Sequence, residues 1–417
     1  MSLLRPALGL SLALAAAGLR AQDFLDHVDD ALTVGAAEGF FRARLSGTVD
    51  VEAYRLQQPS PGLLYTDENS LFNPRLTVFL DAQLGSHLYL FVQTRADRGY
   101  DPADERARVR LDEYALRFTP GDDGRINFQI GKFATAVGNW VPRHGSWDNP
   151  FVTAPLPYEN LTGIWNLVAA RSFPQLLNWA HVRPPQFFGD EYVDRRLRSP
   201  IVWGPSYASG AAVFGELGKF KYAVEVKNAS LASHPDVWDD TGRENWAHPS
   251  FAGRLGYRPD ARWDLGVSAG TGPYLRPEIE STLSPGRGLG DYRETVLGQD
   301  IRFAWHHLQI WAEFYTARFE IPKVGDVDTF SYYVEAKYKF TPQFFGAVRW
   351  NMQFFSEVDD GAGGRSPWGR DAWRIDLAPG YRFTPHTMVK LQYSLQHDDN
   401  SPRAYHGTTA LQFVLRF

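Results

Sequence analysis

Tyr405-His406-Gly407-Thr408-Thr409-Ala410-Leu411-Gln412-Phe413-Val414-Leu415-Arg416-Phe417 is the stretch that decides the fold. Counting back in twos from Phe417, one face holds Phe417, Leu415, Phe413, Leu411, Gly407 and Tyr405. The other carries Arg416, Gln412 and Thr408. A two-residue period places successive side chains on opposite faces, which is the geometry of a half-buried strand.

The same period recurs along the chain. Phe41, Ala43, Leu45, Gly47, Val49, Val51 and Ala53 alternate with Arg42, Arg44, Ser46, Thr48, Asp50, Glu52 and Tyr54. That run is longer than an ordinary strand and matches the reach of a tilted strand crossing a bilayer. Leu88, Leu90 and Val92 alternate with Tyr89, Phe91 and Gln93. Leu308, Ile310 and Ala312 alternate with Gln309, Trp311 and Glu313, and Phe330, Tyr332 and Val334 with Ser331, Tyr333 and Glu335. One strand changes phase: Val109 and Leu111 share a face with Tyr114, Leu116 and Phe118. An extra residue at Asp112-Glu113 restores the register, so a β-bulge is expected there, aiming both carboxylates inward.

Composition is compatible with a barrel. Mean hydropathy is -0.34. Barrels escape hydropathy scans because lipid-facing and lumen-facing residues alternate. Beyond the first residues, no apolar run is long enough for a spanning helix. The 13 Trp and 19 Tyr can supply aromatic girdles at the two interfaces. With 0 Cys there is no disulfide framework, thiolate metal site or thiol nucleophile. Residues 1–21 read as a secretory signal peptide, with Arg5 followed by the apolar run Ala7–Ala17 and small residues up to Ala21. Loss of Arg5 and Arg20 would take the formal charge from -5 to about -7, which argues against a nucleic-acid partner. In residues 22–38, Phe24, Leu25, Val28 and Leu32 form one helical face against Asp23, Asp26, Asp29 and Asp30.

Turns supply the strand count. Short links at Leu84-Gly85-Ser86, Leu217-Gly218, Pro259-Asp260, His306-His307, Thr341-Pro342 and Thr384-Pro385 alternate with long polar segments. The long ones are 57–73, 135–205, 230–248, 271–294 and 356–370, with shorter ones near 99–106, 319–327 and 398–403. The expectation is an all-β, closed antiparallel barrel of about sixteen strands, or eighteen if residues 161–185 add a hairpin. Residues 39–417 form that barrel, and its longest loop follows the fifth strand. That loop is rich in Trp, Pro and Arg, as in Asn139-Trp140-Val141-Pro142-Arg143-His144. Residues 135–165 are too aromatic to stand in water, so they are expected to bend into the lumen.

These features resemble a Gram-negative outer-membrane porin. The stretch Arg110-Leu111-Asp112-Glu113-Tyr114-Ala115-Leu116-Arg117-Phe118, followed by Gly131-Lys132-Phe133, is similar to a pattern of the phosphate-selective-type porins. The resemblance implies short periplasmic turns, long outer loops, and residues 22–38 as a short periplasmic helix. It implies a water-filled channel in the outer-membrane lipid, passing small hydrophilic solutes or anions. It implies that Phe417 is read by the barrel-assembly machinery, and it suggests a homotrimer, although no residue marks the interface.

Lumen-facing strand positions carry more Lys and Arg than Asp and Glu. Arg42, Arg44, Arg75, Arg95, Arg108 and Arg110 lie on the first four strands. With Asp112, Glu113, Lys132, Arg143 and Asp148 they are the expected pore-lining set. One reading pairs the arginines with Asp50, Asp81, Asp97 and Asp112. The other makes them a basic arc that gives the pore a weak preference for anions. Phe79, Tyr89, Phe91, Trp311, Tyr315, Tyr333 and Phe345 also point inward and offer the alternative of a carbohydrate slide. A non-conducting structural barrel is a third reading. No catalytic residue, cofactor or metal site is expected: the 11 His sit in no recognisable motif, and adjacent His306-His307 face opposite ways.

Overall fold

The computed structural model describes residues 24–417 apart from 29, 37–38, 59, 65, 67, 99–107, 182–185, 189–190, 194–196, 243–245 and 400–403. The expected signal segment lies outside the described residues. Sixteen antiparallel strands form one closed sheet. They are β1 (Phe41–Leu56), β2 (Ser70–Leu84), β3 (Leu88–Asp97), β4 (Arg108–Phe118), β5 (Asn127–Phe133), β6 (Ala208–Leu217), β7 (Phe220–Lys227) and β8 (Ser250–Tyr257). Then follow β9 (Trp263–Pro273), β10 (Arg293–Trp305), β11 (Leu308–Ile321), β12 (Gly325–Lys339), β13 (Phe344–Phe355), β14 (Ala372–Arg382), β15 (Thr387–Asp398) and β16 (His406–Arg416).

Closure is made by the stretch quoted above. β16 pairs with β1, with Thr48 opposite Arg416 and Leu56 opposite Thr408. Beyond the last strand, the Phe417 N–H donates to Gly47 O at 3.0 Å and Gly47 N–H donates to Phe417 O at 2.8 Å. A side chain at Gly47 would collide with the Phe417 ring and the Thr77 carbonyl, so glycine is needed for this approach.

The alternation settles what faces lipid. Val49, Val51, Leu391, Leu411 and Phe413 are exposed on the outside, whereas Asp50, Glu52, Gln392 and Gln412 are buried inside. A one-residue slip would turn the charged set outward, at about 2–4 kcal/mol for each Arg or Lys at the bilayer midplane, so the register is strongly specified. The bulge forms where β3 and β4 pair: Gln93 faces Glu113, Thr94 faces Leu111, and Asp112 is the extra residue. Asp112 is buried and Glu113 half-buried.

Links on one rim are short. Gly218 and His306, at φ 62 and 50, take the left-handed backbone that two-residue hairpins require. Links on the other rim include residues 134–207. Among the described residues of 161–185 no strand joins the wall, and Phe173–His181 is helical. The loop expected near 319–327 shrinks to 322–324, since β11 and β12 pair as far as Ile321 opposite Gly325. Ala317, Phe319, Ile321 and Val327 are apolar yet inward, packed beneath the outer loops, and this broke the polar-inside pattern. Residues 24–28 and 30–31 are helical, with Asp26 2.7 Å from His386 in the turn before β15. A short strand, Thr33–Ala36, which the sequence reading missed, then pairs with the first residues of β1.

Candidate permeation pathway

The loop between β5 and β6 folds into the lumen and supplies much of the buried core. Val137, Trp140, Val141, Tyr158, Ile164 and Val202 pack against Trp311, Tyr315 and Tyr333 of the wall. Each such apolar side chain contributes roughly 1.5–3 kcal/mol when fully buried. Gly138, at φ +76, starts the descent; a Cβ there would strike Tyr158, Tyr315 and Glu313.

Polar wall residues hold the loop by its backbone. Glu313 accepts the Trp140 N–H at 2.7 Å, the Tyr158 hydroxyl at 2.6 Å and the Asn139 N–H. Lys390 donates to the carbonyls of Ser146 and Asn149 at 2.7 and 2.9 Å. Arg349 binds Asp376 at 2.8 Å and donates to the Thr153 carbonyl at 3.1 Å. Arg374 bridges Glu159, in the short helix Leu156–Glu159, to Asp376. Arg143 pairs with Glu335 at 2.6 Å and stacks over Trp311. Through these contacts the barrel wall satisfies backbone groups of Asn139, Trp140, Ser146, Asn149 and Thr153 that burial would otherwise leave unpaired.

The packed loop leaves two chambers. The outer, about 390 Å³, lies between the loop and β1–β3 and is lined by Asp50, Glu52, Arg75, Arg95, Trp140 and His144, among others. The inner, about 520 Å³, lies toward the short-turn rim. Pro142, Trp147 and Asp148 line both, so this loop tip forms the lip between them. Trp147 is held by two cations, with Arg382 4.7 Å and Arg416 4.1 Å from its ring centre. Such contacts are worth about 0.5–2 kcal/mol each.

In the outer chamber the arginines are paired. Arg75 sits 2.9 Å from Asp50 and 2.7 Å from Glu52. Arg95 lies 3.4 Å from Asp112 and 3.9 Å from Asp97. Arg110 binds both of those carboxylates. His144 is neutral: burial, reinforced by the nearby Arg95 charge, pushes its pKa down to about 4. Its Nδ1 lies 2.6 Å from the Val141 carbonyl, an acceptor, so that nitrogen carries the proton. Nε2 then accepts the Tyr207 hydroxyl at 2.7 Å.

Four of the expected pore residues reach a chamber: Arg75, Arg95, Arg143 and Asp148. The other seven do not line either one. Arg42 and Arg44 are exposed near the short-turn end of β1, and Arg108 is exposed at the opposite end of β4. Arg110 and Asp112 are committed to the ion-pair cluster of the wall. Glu113 accepts the Ala134 N–H at 2.7 Å and so fixes the start of the loop. Lys132 donates to Leu111 O at 2.9 Å and pairs with Asp239 at 2.7 Å. The aromatic slide does not form as a continuous track: Tyr315 and Tyr333 are wholly buried beneath the loop.

The inner chamber was missed. It gathers Lys221, Arg254, Arg258, Arg302, Lys337, Lys339 and Arg382 around Asp148 and Asp264. Asp264 is already bound by Arg254 and Arg258 at 3.2 and 2.7 Å. Among the described residues, no carboxylate lies within ion-pair distance of Arg302, Lys337, Lys339 or Arg382. The available signal was positional: inward cations within a few residues of successive short turns.

No protein-family model matches the chain, and no curated protein sequence does. Solved structures match at low identity. DcaP, an outer-membrane channel of Acinetobacter baumannii, matches with a TM-score of 0.55 and 10% identity, covering 92% of this chain and 100% of that one. An anion-selective porin from Comamonas acidovorans gives 0.54 and 10%, covering 90% and 100%. The trimer form of OmpT, an outer membrane protein of Vibrio cholerae, gives 0.54 and 10%, covering 90% and 99%. The sixteen-stranded closed wall, the polar lumen and the inward loop therefore have the fold of the Gram-negative outer-membrane porins.

Proposed function

We propose that the chain is an outer-membrane channel for passive diffusion of small hydrophilic solutes, with a weak preference for anions. The observation that carries this is the pair of chambers on either side of Trp147 and Asp148, whose inner member has far more cations than carboxylates. Low-dielectric walls focus that charge on the solute path. At physiological salt the Debye length is about 8 Å, so the preference is modest and grows as salt falls. A carbohydrate slide is less well supported, because Trp311, Tyr315 and Tyr333 are already covered by the loop. The test is single-channel recording of the purified protein in planar bilayers: ion-conducting steps are expected, and a silent membrane would contradict the reading.

A homotrimer is part of the same proposal. β5, β7 and β8 have only 7, 8 and 8 residues. Eight tilted residues rise about 19 Å, short of the roughly 25 Å apolar band of such barrels. Ile130, Val224 and Phe251 border an apolar groove on this low wall, which a second copy would cover. Cross-linking in native membranes should give a three-chain species, diminished by Ile130→Glu with Val224→Glu.

A further inference from the structure

We propose that the inner chamber is a binding site for small polyvalent anions, molecules carrying several phosphate or carboxylate charges. The site makes passage of such solutes saturable and is most accessible from the periplasmic, short-turn side. This rests on the channel reading and deepens it.

The first ground is uncompensated charge. Arg302, Lys337, Lys339 and Arg382 line one chamber, and among the described residues none has a carboxylate within ion-pair distance. Other lumen arginines lie beside carboxylates: Arg75 between Asp50 and Glu52, Arg349 with Asp376, Arg374 with Glu159 and Asp376. Keeping four like charges together without such partners is unfavourable unless an anion completes the set.

The second ground is placement. Lys337 and Lys339 share the inward face of β12, and Lys337 lies directly across from Gln309 at the start of β11. Arg302 lies across from Trp311 on the same wall. Arg382 ends β14 and reaches over Trp147. Neighbouring strands are about 5 Å apart and alternate residues about 7 Å, so the heads suit a ligand with charges several ångström apart. A monovalent ion can satisfy one head at a time, whereas a polyvalent ion makes charge-assisted bonds to several.

The third ground is size and shape. About 520 Å³ falls within the range of small-molecule sites. Trp147 and Pro142 add apolar surface to the lining, with Arg382 over the Trp147 ring. Arg302, Lys339 and Arg382 all lie at or near the short-turn ends of their strands, so an anion arriving from that rim meets them before the lip.

The test uses the full-length protein in planar bilayers at low KCl. Pyrophosphate and citrate are added to one side at a time, with chloride as charge carrier. Half-blocking concentrations should be at least tenfold lower from the periplasmic side than from the other, and lower than that of monovalent acetate by a similar factor. In K339Q with R382Q the block should weaken at least tenfold while chloride still passes. K339R with R382K should restore it, separating charge from folding. Channels that conduct but show no block, or equal block in the neutral double variant, overturn this site and leave the channel reading intact. Should the protein not conduct, calorimetric titration of the detergent-solubilised barrel with pyrophosphate decides: binding lost in the double variant supports the site, and no binding to either overturns it.

Discussion

The outer and inner chambers hold similar residue types and differ in pairing. On β1–β4 the arginines lie beside carboxylates: Arg75 touches Asp50 and Glu52, and Arg95 and Arg110 share Asp97 and Asp112. On β10–β14 the carboxylates are drawn off. Asp300 is taken by Arg254, Glu335 by Arg143, and Asp376 by Arg349 and Arg374. Arg302, Lys337, Lys339 and Arg382 are left over. A count of inward charges therefore misplaces the field of this lumen. What matters is which cation has a neighbour of opposite sign.

The largest effect should come from removing the loop that creates both chambers. Deleting residues 138–160 should raise single-channel conductance roughly twofold or more, because the lumen width then sets the current. Unchanged conductance would mean that the ion path avoids the loop. The wall carboxylates and arginines freed by the deletion face water, so assembly should persist.

A smaller change loosens one anchor. Arg374→Ala strands Glu159 and leaves Asp376 to Arg349, and losing the hydrogen bonds to Glu159 and the Ala154 carbonyl should cost about 1.5–3 kcal/mol of loop attachment. Frequent transitions to a larger open level are the expected record, with the thermal unfolding of the barrel little altered. A quiet channel of normal size would show that Glu313 and Lys390 hold the loop without help.

Acid should act on the outer chamber. The His144 pKa is pushed down to about 4 in place, against about 6.5 when the loop is released. The seated loop thus binds fewer protons, so attachment is complete above pH 6.5 and weakens as pH falls through the window between 6.5 and 4. Open-channel noise should rise over that window and should rise less in His144→Gln. Noise independent of pH would show that protonation of His144 is not coupled to the loop.

The smallest effect separates the two walls most finely. Lys339→Gln with Arg382→Gln should lower the anion-to-cation permeability ratio roughly twofold at low salt, where screening is weak. Arg95→Gln with Arg110→Gln should also shift selectivity toward cations, by unmasking Asp97 and Asp112. An unchanged ratio in Lys339→Gln with Arg382→Gln would mean that the unpaired cations do not govern the field.

Much of the fold was legible because lipid and lumen impose a two-residue period on every strand. The β16 alternation, the bulge at Asp112 and the position of the inward loop all follow from it. Legibility failed where the lumen is not watery. Ala317, Phe319 and Val327 face inward yet are apolar because outer loops cover them, so the two-residue period does not reveal the strand ends there. The site was harder. Arg75 and Asp50 are 25 residues apart, and their contact depends on the register that sets them directly across β1 and β2. The inner chamber draws on seven strands, and no local motif gathers Lys221, Arg302 and Arg382. Lys132 belongs to the stretch that carried the family resemblance, yet it is spent on Asp239 rather than on the solute path.

The proposed channel has a water-filled lumen whose net field is positive because Arg302, Lys337, Lys339 and Arg382 lack a carboxylate partner among the described residues. The reversal potential across a KCl gradient tests it most directly, measured on the wild-type channel at low and at high salt. Anion selectivity at low salt, fading toward zero near 1 M as the Debye length shrinks to about 3 Å, is the predicted result. Cation selectivity at low salt would contradict the account.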